Sequence, residues 1–118
     1  AEYAVTQPVY DVAALDRFLD AIHERGINIP IVAGIWPMVS LRNAEFMKHE
    51  VPGVVVPDEV VERMARAQER GAEAAAAEGV ALAREAVTKI RDRVAGLQVS
   101  APFGRVELAL QVVETLRG

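Results

Sequence analysis

Residues able to meet a ligand fall at three places in the chain. They are Gln7, the run from Trp36 through Ser40, Arg42 and Asn43 to Phe46 and Met47, and Arg105. The Gln7 carboxamide offers one acceptor oxygen and two donors without a charge, which suits a heterocycle carrying its own donors and acceptors. An exposed amide at a strand end is the equal alternative. Trp36, the chain's only tryptophan, either stacks on a ligand or covers the top of a core. Phe46 and Met47 fit a buried helix face as readily as a stacking platform. Arg105 opens a helix, where the positive end of the dipole disfavours a cation. A carboxylate or another anion is therefore expected beside it, in a ligand or in a structural salt bridge.

Other chemistry is excluded more firmly. The chain has no cysteine, hence no disulfide, thiolate ligand or cysteine nucleophile. His23 and His49 lack partners at metal-ligand spacing. Glu45 and Glu107 are isolated carboxylates, so no acid/base pair can be argued from them. Dinucleotide and phosphate-loop glycine patterns are absent, as is the G-x-S-x-G turn of hydrolases.

The elements that must position these residues can be read from apolar period and breakers. Tyr3 to Gln7 reads as a strand closed by Pro8, which has no N–H for a ladder. Asp11 caps a helix whose stripe is Val12, Leu15, Leu19 and Ile22, and Gly26 stops it. Ile29 to Ile35 is a continuous apolar run, as expected of a strand in a parallel sheet. Ser40 caps a short helix over Leu41 to Lys48, and Pro52-Gly53 breaks the chain. Pro57 belongs to the first turn of a third helix with Val60, Val61 and Met64 on its apolar edge. An alanine-rich helix follows from Ala72 to Ala95, with the stripe Val80, Ala83, Val87, Ile90 and Val94. Gly96 ends it. Leu97 to Ser100 is a third strand, Ala101 to Gly104 a turn, and Arg105 to Leu116 a last helix with Val106, Leu110 and Val113 inward.

The resulting order is β-α-β-α-α-α-β-α, which argues for a parallel sheet with right-handed crossovers. Ligands in such folds bind at the C-terminal ends of the strands. Polar groups follow each strand here, so they should converge on one face. A parallel barrel needs eight strands and about 250 residues; with 118 residues the chain is one domain and only part of such a barrel. Three strands leave two raw edges. The chain opens on a strand-like segment without Met and closes on a helix, so the expectation is a piece of a larger protein, or copies that associate.

Totals set the remaining bounds. With 52% hydrophobic and 25% charged residues the chain is globular, not disordered. A net charge of −4 gives no footprint for nucleic acid. No apolar run reaches the roughly 18 residues a membrane helix needs, and Ala1 to Gln7 is not a signal peptide. A soluble cytoplasmic protein is expected.

Three segments together resemble the C-terminal part of methylenetetrahydrofolate reductase. They are TQPVYD from Thr6 with a following helix containing FLD, then IPIVAGIWPMVSLRNAEFM from Ile29, then LQVSAPFGRVELAL from Leu97. The reductase half of the bifunctional homocysteine S-methyltransferase/methylenetetrahydrofolate reductase proteins is the nearest in flavour, and the likeness spans essentially residues 1–118. The resemblance implies an α/β fold, a partial (β/α)8 TIM barrel comprising about the last three β/α units. It implies FAD as cofactor and NAD(P)H as reductant, converting 5,10-methylenetetrahydrofolate to 5-methyltetrahydrofolate. By resemblance, Gln7 matches the glutamine that touches both folate and nicotinamide, Asn43 a substrate-contacting glutamine, Phe46 or Met47 the aromatic packed on the folate, and Arg105 a substrate-contacting arginine. Partners would be the folate, the rest of the barrel or another chain, and a homo-oligomer. Ala33 stands where a proline is common, and APFGR departs from a Tyr-Thr-Leu-Asn-Arg pattern. The family's catalytic glutamate and most of its FAD contacts belong to upstream strands, so no catalytic residue is expected within this segment.

Overall fold

The structure, a computed structural model, describes residues 3–117. The chain runs β1 (Ala4–Pro8), α1 (Val12–Glu24), β2 (Ile31–Ile35), α2 (Leu41–Glu50), α3 (Asp58–Gln68), α4 (Ala72–Ile90), β3 (Gly96–Val99) and α5 (Val106–Val113). Short 3-10 turns occupy Pro102–Gly104 and Glu114–Arg117. The three strands form one parallel sheet in the order β1-β2-β3. This is the sequential order that right-handed β-α-β crossovers produce. It is an α/β architecture with a three-stranded parallel sheet, consistent with part of a TIM barrel.

Local signals explain most boundaries. The Asp11 carboxylate accepts from the Ala14 N–H and starts α1; the Ser40 hydroxyl accepts from the Asn43 N–H and starts α2. Gly71 enters α4 with φ 116°, a region that side chains rarely reach. Pro57 stands before α3 as its cap residue instead of inside its first turn. β2 begins at Ile31, two residues later than expected, and Ile29 and Pro30 are exposed. Gly96 opens β3, pairing with Val32, and α4 ends earlier, at Ile90.

Helices cover one face of the sheet. Ile31, Ala33 and Ile35 of β2 point into that side, against Leu15 and Leu19 of α1, Val80, Val87 and Ile90 of α4, and Leu108 and Val112 of α5. A second cluster joins Met38, Met47, Val56, Val60 and Met64, and it anchors α2 and α3 to the loop after β2. The last helix reverses the expected orientation: Val106 and Leu110 are each 57% exposed and Val113 is 39%, whereas Leu108 and Val112 are buried. Its sequence carries two apolar stripes, each at helical spacing, and the sheet takes the other one.

Among the described residues no helix covers the opposite face of the sheet. Val5 pairs with Val32, Val32 with Gly96, and Gly34 with Gln98, so these residues share that face. Tyr3 and Val5 are exposed there, as are Gln7 and Gln98. No helix of the described residues is long and apolar enough to cross a membrane.

Candidate functional site

Gln7 owes its position to a bulge in β1. Between the pairs Val5–Val32 and Pro8–Gly34 the register shifts, so β1 spends three residues where β2 spends two. The Thr6 side chain fills the gap. Its hydroxyl accepts from the Gly34 N–H at 3.0 Å and donates to the Gln7 carbonyl at 2.8 Å. The ladder resumes with the Val9 N–H on the Gly34 carbonyl at 3.0 Å. A Cβ on Gly34 would stand 2.9 Å from the Thr6 carbonyl oxygen, so the bulge demands glycine at that position.

Beyond the bulge lies a groove of about 380 Å³, lined by Gln7, Tyr10, Ala14, Phe18, Gly53 and Val55 among others. Gly53, at φ 84°, brings the loop after α2 over β1, close to the Gln7 Cγ. Phe18 and Val55 are 47% and 51% exposed and give the groove an apolar wall.

The loop after β2 is tied down from every side. The Tyr10 hydroxyl donates to the Trp36 carbonyl at 2.9 Å, and burial pushes the Tyr10 phenol well above its usual range. The Asn43 Oδ1 accepts from the Val39 N–H at 3.1 Å, and the Gln68 Oε1 from the Leu41 N–H at 3.1 Å. Underneath, the Met38 carbonyl presses on Gly79 of α4, where even a Cβ would lie only 1.6 Å from that oxygen. The Trp36 indole packs against the second core cluster, and its Nε1 is buried without an acceptor among the described residues. A cavity of about 30 Å³ lined by Trp36, Tyr10, Met38 and Gly79 has room for one water.

The residues picked from sequence therefore separate. Gln7 is exposed at the groove. Asn43 is half-buried, and its oxygen is occupied within its own loop. Phe46 is 54% exposed on α2, whereas Met47 is 3% exposed inside the second cluster. Arg105 donates from Nε to Glu107 Oε1 at 2.8 Å, with Glu73 Oε1 at 4.0 Å. Its anion is thus supplied by the same chain, which raises the Arg105 guanidinium's pKa and lowers that of Glu107. All these residues lie beyond or near the C-terminal ends of the parallel strands, but only Gln7 lines the groove. Sequence reading passed over Thr6, Gly53, Gly79 and Gln98. Gly53 carried a visible signal as a loop breaker after Pro52, and Thr6 as the first residue of the TQPVYD box.

Parallel strands backed by helices on one face, with amides near the strands' C-terminal ends, make an α/β protein with a three-stranded parallel sheet, consistent with part of a barrel, a fold class in which ligands bind at that end of the strands. The family model of methylenetetrahydrofolate reductase matches residues 1–116, and the chain belongs to the methylenetetrahydrofolate reductase family. A search of the curated proteins found no match to it.

Proposed function

We propose that these residues are the C-terminal part of a flavin-dependent reductase acting on 5,10-methylenetetrahydrofolate, about the last three β/α units of its barrel. The segment supplies part of the face that receives folate and nicotinamide in turn. The observation that carries this reading is the one-sided sheet. Helices cover one face, and the other is open and turns polar at the strand ends, as the inner face of a barrel does near its mouth. Gln7 offers its amide to either ligand, Phe46 an exposed ring for packing, and Arg105 a cation at the rim. Asn43 holds the loop through its oxygen and presents its NH2 group. Met47 supports this helix from within the core.

FAD, when bound, would pass a hydride from NAD(P)H to the folate. The sheet face suits its ring system and not its pyrophosphate: Val5, Gln7, Val32, Gly34, Gly96 and Gln98 include amides and glycines but no cation. That agrees with most FAD contacts lying on other strands. The nearest reading of the whole protein is the reductase half of a bifunctional homocysteine S-methyltransferase/reductase, cytoplasmic and acting in one-carbon metabolism and methionine biosynthesis.

The test is Gln7→Ala in the full-length protein. Folate turnover is expected to fall about tenfold or more, in line with losing a hydrogen bond in the reacting complex, while the melting temperature stays within a degree or two. Unchanged kinetics would remove Gln7 from the site. A second reading has an observation of its own. Phe18 and Val55 on the β1 side, and Val106 and Leu110 on α5, are exposed apolar edges. They suit a non-catalytic half-barrel that self-associates or complements another chain. Light scattering on the 118-residue chain tests that alternative, and a stable folded monomer would rule it out.

A further inference from the structure

The open face of the sheet changes character along the strands. At its N-terminal end stand Tyr3, Val5 and Val32; at its C-terminal end stand Gln98, opposite Gly34 of the central strand, and Gln7, in the bulge just before the Pro8 that pairs with Gly34. A face merely bathed in water would be polar throughout. A packed barrel interior would be filled with branched apolar side chains to the top. This face is neither, since its last layer is the Gln98 carboxamide opposite Gly34, with Gln7 in the adjacent β1 bulge, one residue before the Pro8 that pairs with Gly34. Neither the Gln7 nor the Gln98 side chain has a hydrogen-bond partner among the described residues, in contrast to Asn43 and Gln68, whose oxygens each hold a backbone N–H. Strands lie roughly 4.8 Å apart, so the β1 and β3 backbones stand about 10 Å apart on either side of Gly34. That width admits one planar ring system lying across the glycine.

We propose that Gln98 is a second ligand-binding amide of this site. It makes a paired hydrogen bond to the lactam edge, an N–H beside a C=O, of a planar heterocycle held between it and Gln7. A carboxamide is the matching group for such an edge because it donates and accepts side by side. Two bound molecules of the reductase reading carry that edge, the flavin and the reduced pterin of the folate. This inference rests on that reading.

The experiment uses the full-length protein with Gln98→Met, which keeps length and removes both polar functions, and Gln98→Glu, which keeps the acceptors and removes the donors. Melting temperatures of both are compared with the parent to establish folding. The parent is assayed first. If it holds no flavin and reduces no methylenetetrahydrofolate, the reductase reading falls, independently of Gln98. In an active parent, contact with the flavin predicts a shifted flavin absorption band and flavin affinity weakened about tenfold in Gln98→Met. Contact with the pterin predicts an unchanged flavin spectrum, an unchanged rate of flavin reduction by NAD(P)H, and a KM for methylenetetrahydrofolate raised about tenfold. Gln98→Glu is expected to fail in the same arm, because a carboxylate cannot donate to the lactam carbonyl. An active parent whose Gln98→Met variant keeps flavin affinity, spectrum and folate KM within twofold overturns the proposal.

Discussion

Replacing Gly79 by alanine should unfold this chain more readily, against the ordinary expectation for a helix. Gly79 lies inside α4, where glycine costs about 1 kcal/mol relative to alanine. On propensity alone the substitution would stabilise. The structure reverses the sign. The added Cβ would stand 1.6 Å from the Met38 carbonyl oxygen, 2.6 Å from the Met38 carbonyl carbon and 3.2 Å from its Cα. Non-bonded heavy atoms settle near 3.5 Å, so loop and helix must part by roughly 2 Å. Both sides are backbone, and no side chain can rotate out of the way. The loop is also pinned by the Tyr10, Asn43 and Gln68 hydrogen bonds, so the strain spreads into the β1–α1 connection, α2 and α3. Overpacking a close contact costs about 1–3 kcal/mol, and a backbone clash belongs at the upper end or beyond. After subtracting the propensity gain, a net loss of about 2–3 kcal/mol remains, or roughly 8–20 °C in melting temperature for a chain this size. Thermal unfolding followed by circular dichroism measures it. Ala77→Gly on the exposed side of the same helix serves as control and should cost only about 1 kcal/mol. If Gly79→Ala melts at or above the parent, the close approach of loop and helix is wrong, and with it the placement of the strand end.

Two further outcomes follow from the same geometry. Thr6→Val keeps the shape but removes the hydroxyl that accepts from Gly34 and donates to Gln7, so a loss of about 1–3 kcal/mol is expected in denaturant unfolding, with Thr6→Ser close to the parent. Arg63 joins α3 to α4 through Glu78 at 2.6 Å and Glu85 at 2.7 Å, and its guanidinium holds the Glu85 carboxyl below its usual range. A depressed folded-state pKa gives stability that is present above the ordinary glutamate value and lost as pH falls through the folded value. Melting temperature should therefore drop more steeply below about pH 4.5 in the parent than in Arg63→Met, and the stability difference should stay near 1 kcal/mol or less because the Glu85 side chain is half exposed and solvent screens the pair.

The order of elements was legible because breakers and caps mark it. Asp11, Ser40 and Gly71 sit at the helix starts that the chain uses, and the apolar run to Ile35 has the composition of a sheet interior. What stayed hidden depends on contacts between segments distant in sequence. Gly79 looks like an imperfection in an alanine-rich helix until Met38 is seen to cross it. Thr6 reads as one more strand residue until its hydroxyl replaces a rung of the ladder. The α5 error has a different origin: Val106-Leu110-Val113 and Leu108-Val112 are both consistent with a helical stripe, and only the position of the sheet selects between them.

The loop after β2 and the helix it leads into carry Ser40 and Asn43, yet these groups are turned inward. Ser40 caps α2, Asn43 holds the Val39 N–H, and Gln68 reaches over from α3 to hold the Leu41 N–H. Such bonding makes a rigid strand end, and rigidity is what a binding face requires of its supports. A polar side chain cannot give the same lone pair or proton fully to its own backbone and to a ligand. The residues left to recognise a ligand are those whose hydrogen-bonding capacity is still unspent. By that accounting the groups proposed above with their hydrogen-bonding capacity unspent lie on the sheet, Gln7 within the bulge and Gln98 opposite Gly34.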